Sequence, residues 1–166
     1  MATLIAIPIL ALLLILQSAI LSRFPLLHGT ADLVLLATIA WALQKRVRTA
    51  WQWGIIGGLM VGVVSALPFG VTLIIYPASV GMALILRQRV WQVPVLAMFI
   101  ATFFATLLAH LVMMAALRIT GTAFTWQQAI NVITLPSIIL NLLLAIPAYA
   151  LFTDLSKWLY PEPLEV

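Results

Sequence analysis

Residues 93–117 read VPVLAMFIATFFATLLAHLVMMAAL, twenty-five residues in which His110 is the one side chain that titrates near neutrality. A helix of that length, rising about 1.5 Å per residue, exceeds the roughly 30 Å hydrocarbon core of a bilayer. Only a helix or a closed barrel satisfies its own backbone in lipid, so the stretch reads as a membrane helix. The rest of the chain is built alike: of 166 residues, 65% are hydrophobic and 7% charged, against roughly 25% charged in a soluble domain. The first apolar run, from Ala2 to Leu21, lacks a basic leader and is followed by further runs, so it reads as a membrane helix and not a cleaved signal. There is no cysteine, which removes disulfides and thiolate chemistry. The formal charge of +4 comes from residues scattered between apolar runs. Such residues set topology and do not form a nucleic-acid patch.

Cutting the chain at charges, Gly/Pro clusters and polar runs gives an all-α polytopic membrane protein with six spans, at about 3–21, 32–43, 51–67, 71–86, 93–117 and 131–152. They form one integral membrane domain, and residues 153–166 read as a short cytoplasmic tail. Asp32 opens the second span, where an acid suits the helix dipole. Residues 119–130 form the longest connection, with room for an interfacial turn. The fourth span is short and holds Pro77, so a tilted crossing and a re-entrant hairpin over residues 54–86 are both open. Six spans place Lys45, Arg46, Arg48, Arg87, Arg89 and Lys157 on one side, and only Arg23 and Arg118 on the other. The positive-inside rule then puts both termini in the cytoplasm. Trp41, Trp51, Trp53, Trp91 and Trp158 fall near the basic side and Trp126 near the other, as interfacial belts would.

Gly54, Gly58 and Gly62, continued by Ala66 and Gly70, give a smooth strip along the third span. In lipid such a strip admits another helix closely, either of this chain or of a partner. The intramembrane polar candidates are Gln17, Asp32, His110 and Asn141. His110 continues a row from Thr102 and Thr106 on the fifth span, and Asn141 a row from Thr134 and Ser137 on the sixth, so the two rows could face each other. One histidine with no nearby acid or cysteine is a poor metal or proton-relay signal and reads better as an interhelical hydrogen bond. The acids Asp32, Asp154, Glu162 and Glu165 all lie at span ends or in the tail, which argues against ion-coupled transport. No Walker loop, zinc helix or nucleophile elbow is present. The reading is therefore of a protein that is not an enzyme, with no catalytic residue, metal or cofactor.

Leu16-Gln17-Ser18, Ala31-Asp32-Leu33-Val34-Leu35-Leu36, and Gly54-Ile55-Ile56-Gly57-Gly58-Leu59 leading through Ser65 to Leu67-Pro68-Phe69-Gly70 resemble the rod shape-determining protein family MreD. Length, span plan and the basic loop after the second span fit that family too. Two departures stand out: Ala31 replaces a common proline before the aspartate, and Gly62 falls where the family often has an acid. The resemblance implies a scaffold of the rod complex in the bacterial inner membrane, serving peptidoglycan elongation. It implies pairing with MreC, a bitopic partner, and links to MreB, RodA and a class B penicillin-binding protein, with membrane lipid around it. The plan is also similar to that of the substrate-binding subunits of energy-coupling-factor vitamin transporters, which supplies an alternative function.

Overall fold

A computed structural model describes residues 2–19, 28–89, 93–122 and 125–161. These form α1 (Ala2–Ala19), α2 (Leu33–Leu43), α3 (Ala50–Val64), α4 (Phe69–Arg89), α5 (Pro94–Ile119) and α6 (Trp126–Leu159), and among the described residues there is no strand. The sixth helix opens with an α turn, Trp126–Ala129, and a wider π turn, Ile130–Thr134, before its long stretch Leu135–Leu159. Helices α1, α4, α5 and α6 are long and apolar enough to cross a membrane, while α2 and α3 are shorter apolar helices.

The short helix α2 is the axis of the bundle. Its sequence, LVLLATIAWAL, is apolar on every side, and each residue from Val34 to Leu43 is buried. A helix without a polar face has to be surrounded. All five other helices pack on it. Successive helices run in opposite directions, which gathers Lys45, Arg46, Arg87 and Lys157 around one cavity at one end of the bundle. The Trp53 indole donates to the Ala2 carbonyl at 3.2 Å, and the Arg46 guanidinium donates to the Tyr160 carbonyl at 3.0 Å, so residues 2 and 160 both lie at this basic end.

Burial of α2 corrects the aromatic-belt expectation. Trp41 and Trp53 are fully buried and stack at 4.5 Å between ring centres, with Phe152 edge-on to both. Trp51, Trp126 and Trp158 are exposed as a belt requires, and Trp91 lies outside the described residues, as does Arg23. The fourth span runs as one 21-residue helix straight through Pro77, longer at both ends than the expected 71–86. That length removes the argument for a re-entrant segment. The sixth helix continues to Leu159, so residues 153–159 are helical. Its start at Trp126 likewise shortens the expected long connection.

The glycine strip is covered by α4. A Cβ on Gly54 would lie 2.9 Å from Val80 Cγ2, one on Gly58 2.9 Å from the Thr72 carbonyl oxygen, and one on Gly62 2.7 Å from Thr72 Oγ1. The strip stops there. The third helix ends at Val64, so Ala66 is exposed in the turn and Gly70 opens α4 with nothing within 4 Å of its Cβ position. Gly57, on the neighbouring face, lets α2 approach through Val34 and Thr38. Because the Thr72 carbonyl is backbone and cannot swing aside, Gly58→Leu should lower stability by the ~1–3 kcal/mol of an overpacked site. Gly70→Ala should leave it unchanged or slightly raised. Thermal unfolding in mild detergent checks both, and a native-like melt for Gly58→Leu would show that α3 and α4 do not pack this way.

Candidate functional site

An eleven-residue helix spans about 16 Å, roughly half the apolar thickness of a bilayer. The unpaired backbone groups at both its ends therefore need partners from the surrounding helices. The polar side chains of the bundle meet that demand. At the N-terminus the Asp32 carboxylate caps: Oδ1 accepts from the Leu35 amide at 2.8 Å, and the Val34 amide faces the same carboxylate. The Leu33 amide donates to Gln17 Oε1 of α1 at 2.8 Å, and the Asp32 amide to Asn141 Oδ1 of α6 at 2.8 Å. Asn141 passes the network on by donating to Thr106 Oγ1 of α5 at 2.9 Å, while the Tyr76 hydroxyl of α4 donates to Asp32 Oδ2 at 2.8 Å. Five helices thus meet at Asp32. The expected facing of the α5 and α6 polar rows is realised in the Asn141 to Thr106 bond.

The strand of chain leading into Asp32 is strapped to the π turn of α6. The His28 amide donates to the Val132 carbonyl at 3.2 Å and the Thr30 amide to Ser137 Oγ at 3.0 Å. Gly29 permits this approach, since a Cβ there would stand 2.6 Å from both Pro136 Cβ and the Ser137 nitrogen. At the other end of α2, Arg87 Nη1 reaches the carbonyls of Ala42, Gln44 and Val47 at 3.1, 2.8 and 3.2 Å, and Gln44 Nε2 donates to the Ala40 carbonyl at 3.1 Å. Arg87 therefore caps this end of α2. Lys45, Arg46, Arg48 and Arg89 are exposed at the same end.

Beside Asp32 opens a cavity of about 390 Å³, bordered by Gln17, Asp32, Tyr76, His110 and Ser137. His110 shares this cavity but joins no bond of the network, and its Nδ1 is buried without a hydrogen-bond partner among the described residues. The interhelical hydrogen bond expected of it is not formed among those residues. Sequence reasoning named Gln17, Asp32 and Asn141 and missed Tyr76, Arg87 and Gln44 as their counterparts. The signal was available: an apolar run of twelve residues, 32–43, is too short to cross alone, so both its ends demand polar partners. Among the described residues no three His, Cys, Asp or Glu side chains gather as a metal site.

The sequence model of the family described as rod shape-determining protein MreD matches residues 1–158 of this chain. The chain belongs to the MreD family. Membership assigns it a role in rod-shape determination, within a family of shape-determining membrane proteins. No curated protein and no solved structure matches the chain. At Gly62 a Cβ would stand 2.7 Å from Thr72 Oγ1 and 3.0 Å from the Phe69 ring, so little room is left for a side chain.

Removing one member of the Asp32 network strands its partners in an apolar interior. Asn141→Ala leaves the Asp32 amide and Thr106 Oγ1 unpaired and should cost about 1–3 kcal/mol for each group left buried. Tyr76→Phe takes a buried hydrogen-bond partner from Asp32 Oδ2, at a cost of about 1–3 kcal/mol. Both act on one network, so the double variant should fall short of the sum in a double-mutant cycle read by thermal unfolding. Strict additivity would show that Tyr76 and Asn141 act on separate parts of the fold.

Proposed function

We propose that the chain is a non-catalytic scaffold of the rod complex, which pairs with MreC and through it supports MreB, RodA and a class B penicillin-binding protein in peptidoglycan elongation. The observation that carries this reading is the fate of the interior polar groups. Asp32, the acid inside the bundle, is engaged by the α2 amides and Tyr76, and Gln17 and Asn141 are engaged beside it. What the protein offers to others is its outward surface, which carries large exposed apolar side chains such as Leu4, Val63, Leu143 and Leu151. A scaffold needs such a surface, because helix association in lipid works by packing.

In this reading all six helices lie across the cytoplasmic membrane, α2 and α3 reaching the interfaces through their polar flanks. The excess of Lys and Arg at one end supports placing that end, and both termini, in the cytoplasm. The absence of cysteine makes the orientation directly readable. A single cysteine at Thr122 should react with a membrane-impermeant maleimide in intact spheroplasts, and one at Arg48 only after permeabilisation. The reverse pattern would invert the protein.

Purification from native membranes in mild detergent should recover a bitopic partner with an extracytoplasmic domain. Depletion should round the cells, and re-expression should restore rods. Recovery instead of a pair of ATPases with a tightly held vitamin would replace the scaffold reading with a transport one.

A further inference from the structure

The basic residues of the chain do more than face one compartment. At the basic end, where the α2–α3 connection meets the ends of α4 and α6 and the start of α5, lies a cavity of about 180 Å³ lined by Lys45, Arg46, Arg87 and Lys157. Among the described residues that line it, four are cations and none is acidic. The Thr153 and Ser156 hydroxyls stand on its α6 wall, while Pro94 and Ala97 of α5 form an apolar wall opposite. Arg87 is fixed in place by the three carbonyls it caps, so part of the positive charge is held rigidly before anything binds. Among the described residues, Lys157 forms an exposed ion pair with Asp154 at 3.6 Å. A surface pair of this kind contributes little and is easily exchanged for a stronger anion.

We infer that this cavity binds the phosphate group of an anionic phospholipid. Concentrated positive charge matches a phosphate, and basic pockets between membrane helices on the cytoplasmic side are suited to lipid headgroups. The volume admits a headgroup and not a whole lipid. The acyl chains then run outward along α5, where Val93 and Leu96 are exposed beside the cavity mouth. This apolar continuation favours a lipid over a free phosphate as the source. The inference rests on the membrane reading of the fold and is independent of the partners proposed above.

The test is native mass spectrometry of the full-length, delipidated protein in detergent. It is titrated with phosphatidylglycerol, cardiolipin, phosphatidylcholine and, separately, inorganic phosphate. The wild type should retain the two anionic lipids in preference to phosphatidylcholine. Lys45→Ala combined with Lys157→Ala should weaken that retention roughly fivefold per charge removed, about 25-fold for the pair, with an unchanged melting temperature. Arg48→Ala combined with Arg89→Ala removes two charges at the same end but outside the cavity, and should change retention less than about twofold. Equal loss in the two double variants would reduce the effect to general charge attraction and overturn the site. So would equal retention of phosphatidylcholine, or saturation by inorganic phosphate without lipid binding.

Discussion

A helix of eleven residues buried in the middle of a membrane bundle cannot leave its ends to water. Each end of α2 carries backbone groups with no partner inside the helix, and the apolar surroundings make every unpaired group costly. The side chains that satisfy them come from three of its neighbours, Gln17 from α1, Arg87 from α4 and Asn141 from α6, with Tyr76 and Thr106 bracing Asp32 and Asn141. The polar residues of an otherwise apolar chain are thereby explained together. They pin five helices around one axis, which packing of apolar faces alone specifies poorly when lipid is as apolar as the core.

This division of labour has a consequence for function. Side chains committed to a network of mutual hydrogen bonds are poor candidates for transport or catalysis, because each is held in one geometry by several others. Membership of the MreD family and the apolar outward surface then point the same way, toward a protein that positions others. His110 and the cavity beside Asp32 are the parts of the interior that the capping of α2 does not absorb.

Much of the fold was legible in the sequence. The order of the helices follows from apolar runs and their breaks, Asp32 reads as a helix cap, and Gly54, Gly58 and Gly62 read as a close-approach face. What the strip approaches was not legible. A glycine face signals contact without naming the neighbour, and here the neighbour is α4 of the same chain. Trp41 and Trp53 misled for a related reason: tryptophan near a helix end marks an interface only if it meets lipid, whereas Trp41 lies on the enclosed α2 and Trp53 of α3 is stacked against it. The extension of α4 to Phe69 and Arg89 escaped notice because Phe69, Gly70 and Arg87–Arg89 carry turn and charge signals that neighbouring helices override. The capping role of Arg87 depends on a contact across more than forty residues of sequence, which no local pattern reveals.

The central claim is that α2 is an axial helix whose open ends are closed by its neighbours. Residue-resolved hydrogen exchange in lipid nanodiscs tests it most directly, at the amides of Asp32, Leu33 and Leu35. These lack a partner within the helix and bond instead to Asn141, Gln17 and the Asp32 carboxylate. They should exchange as slowly as the interior of α2. Rapid exchange at these three amides, as in a frayed helix start, would contradict the account.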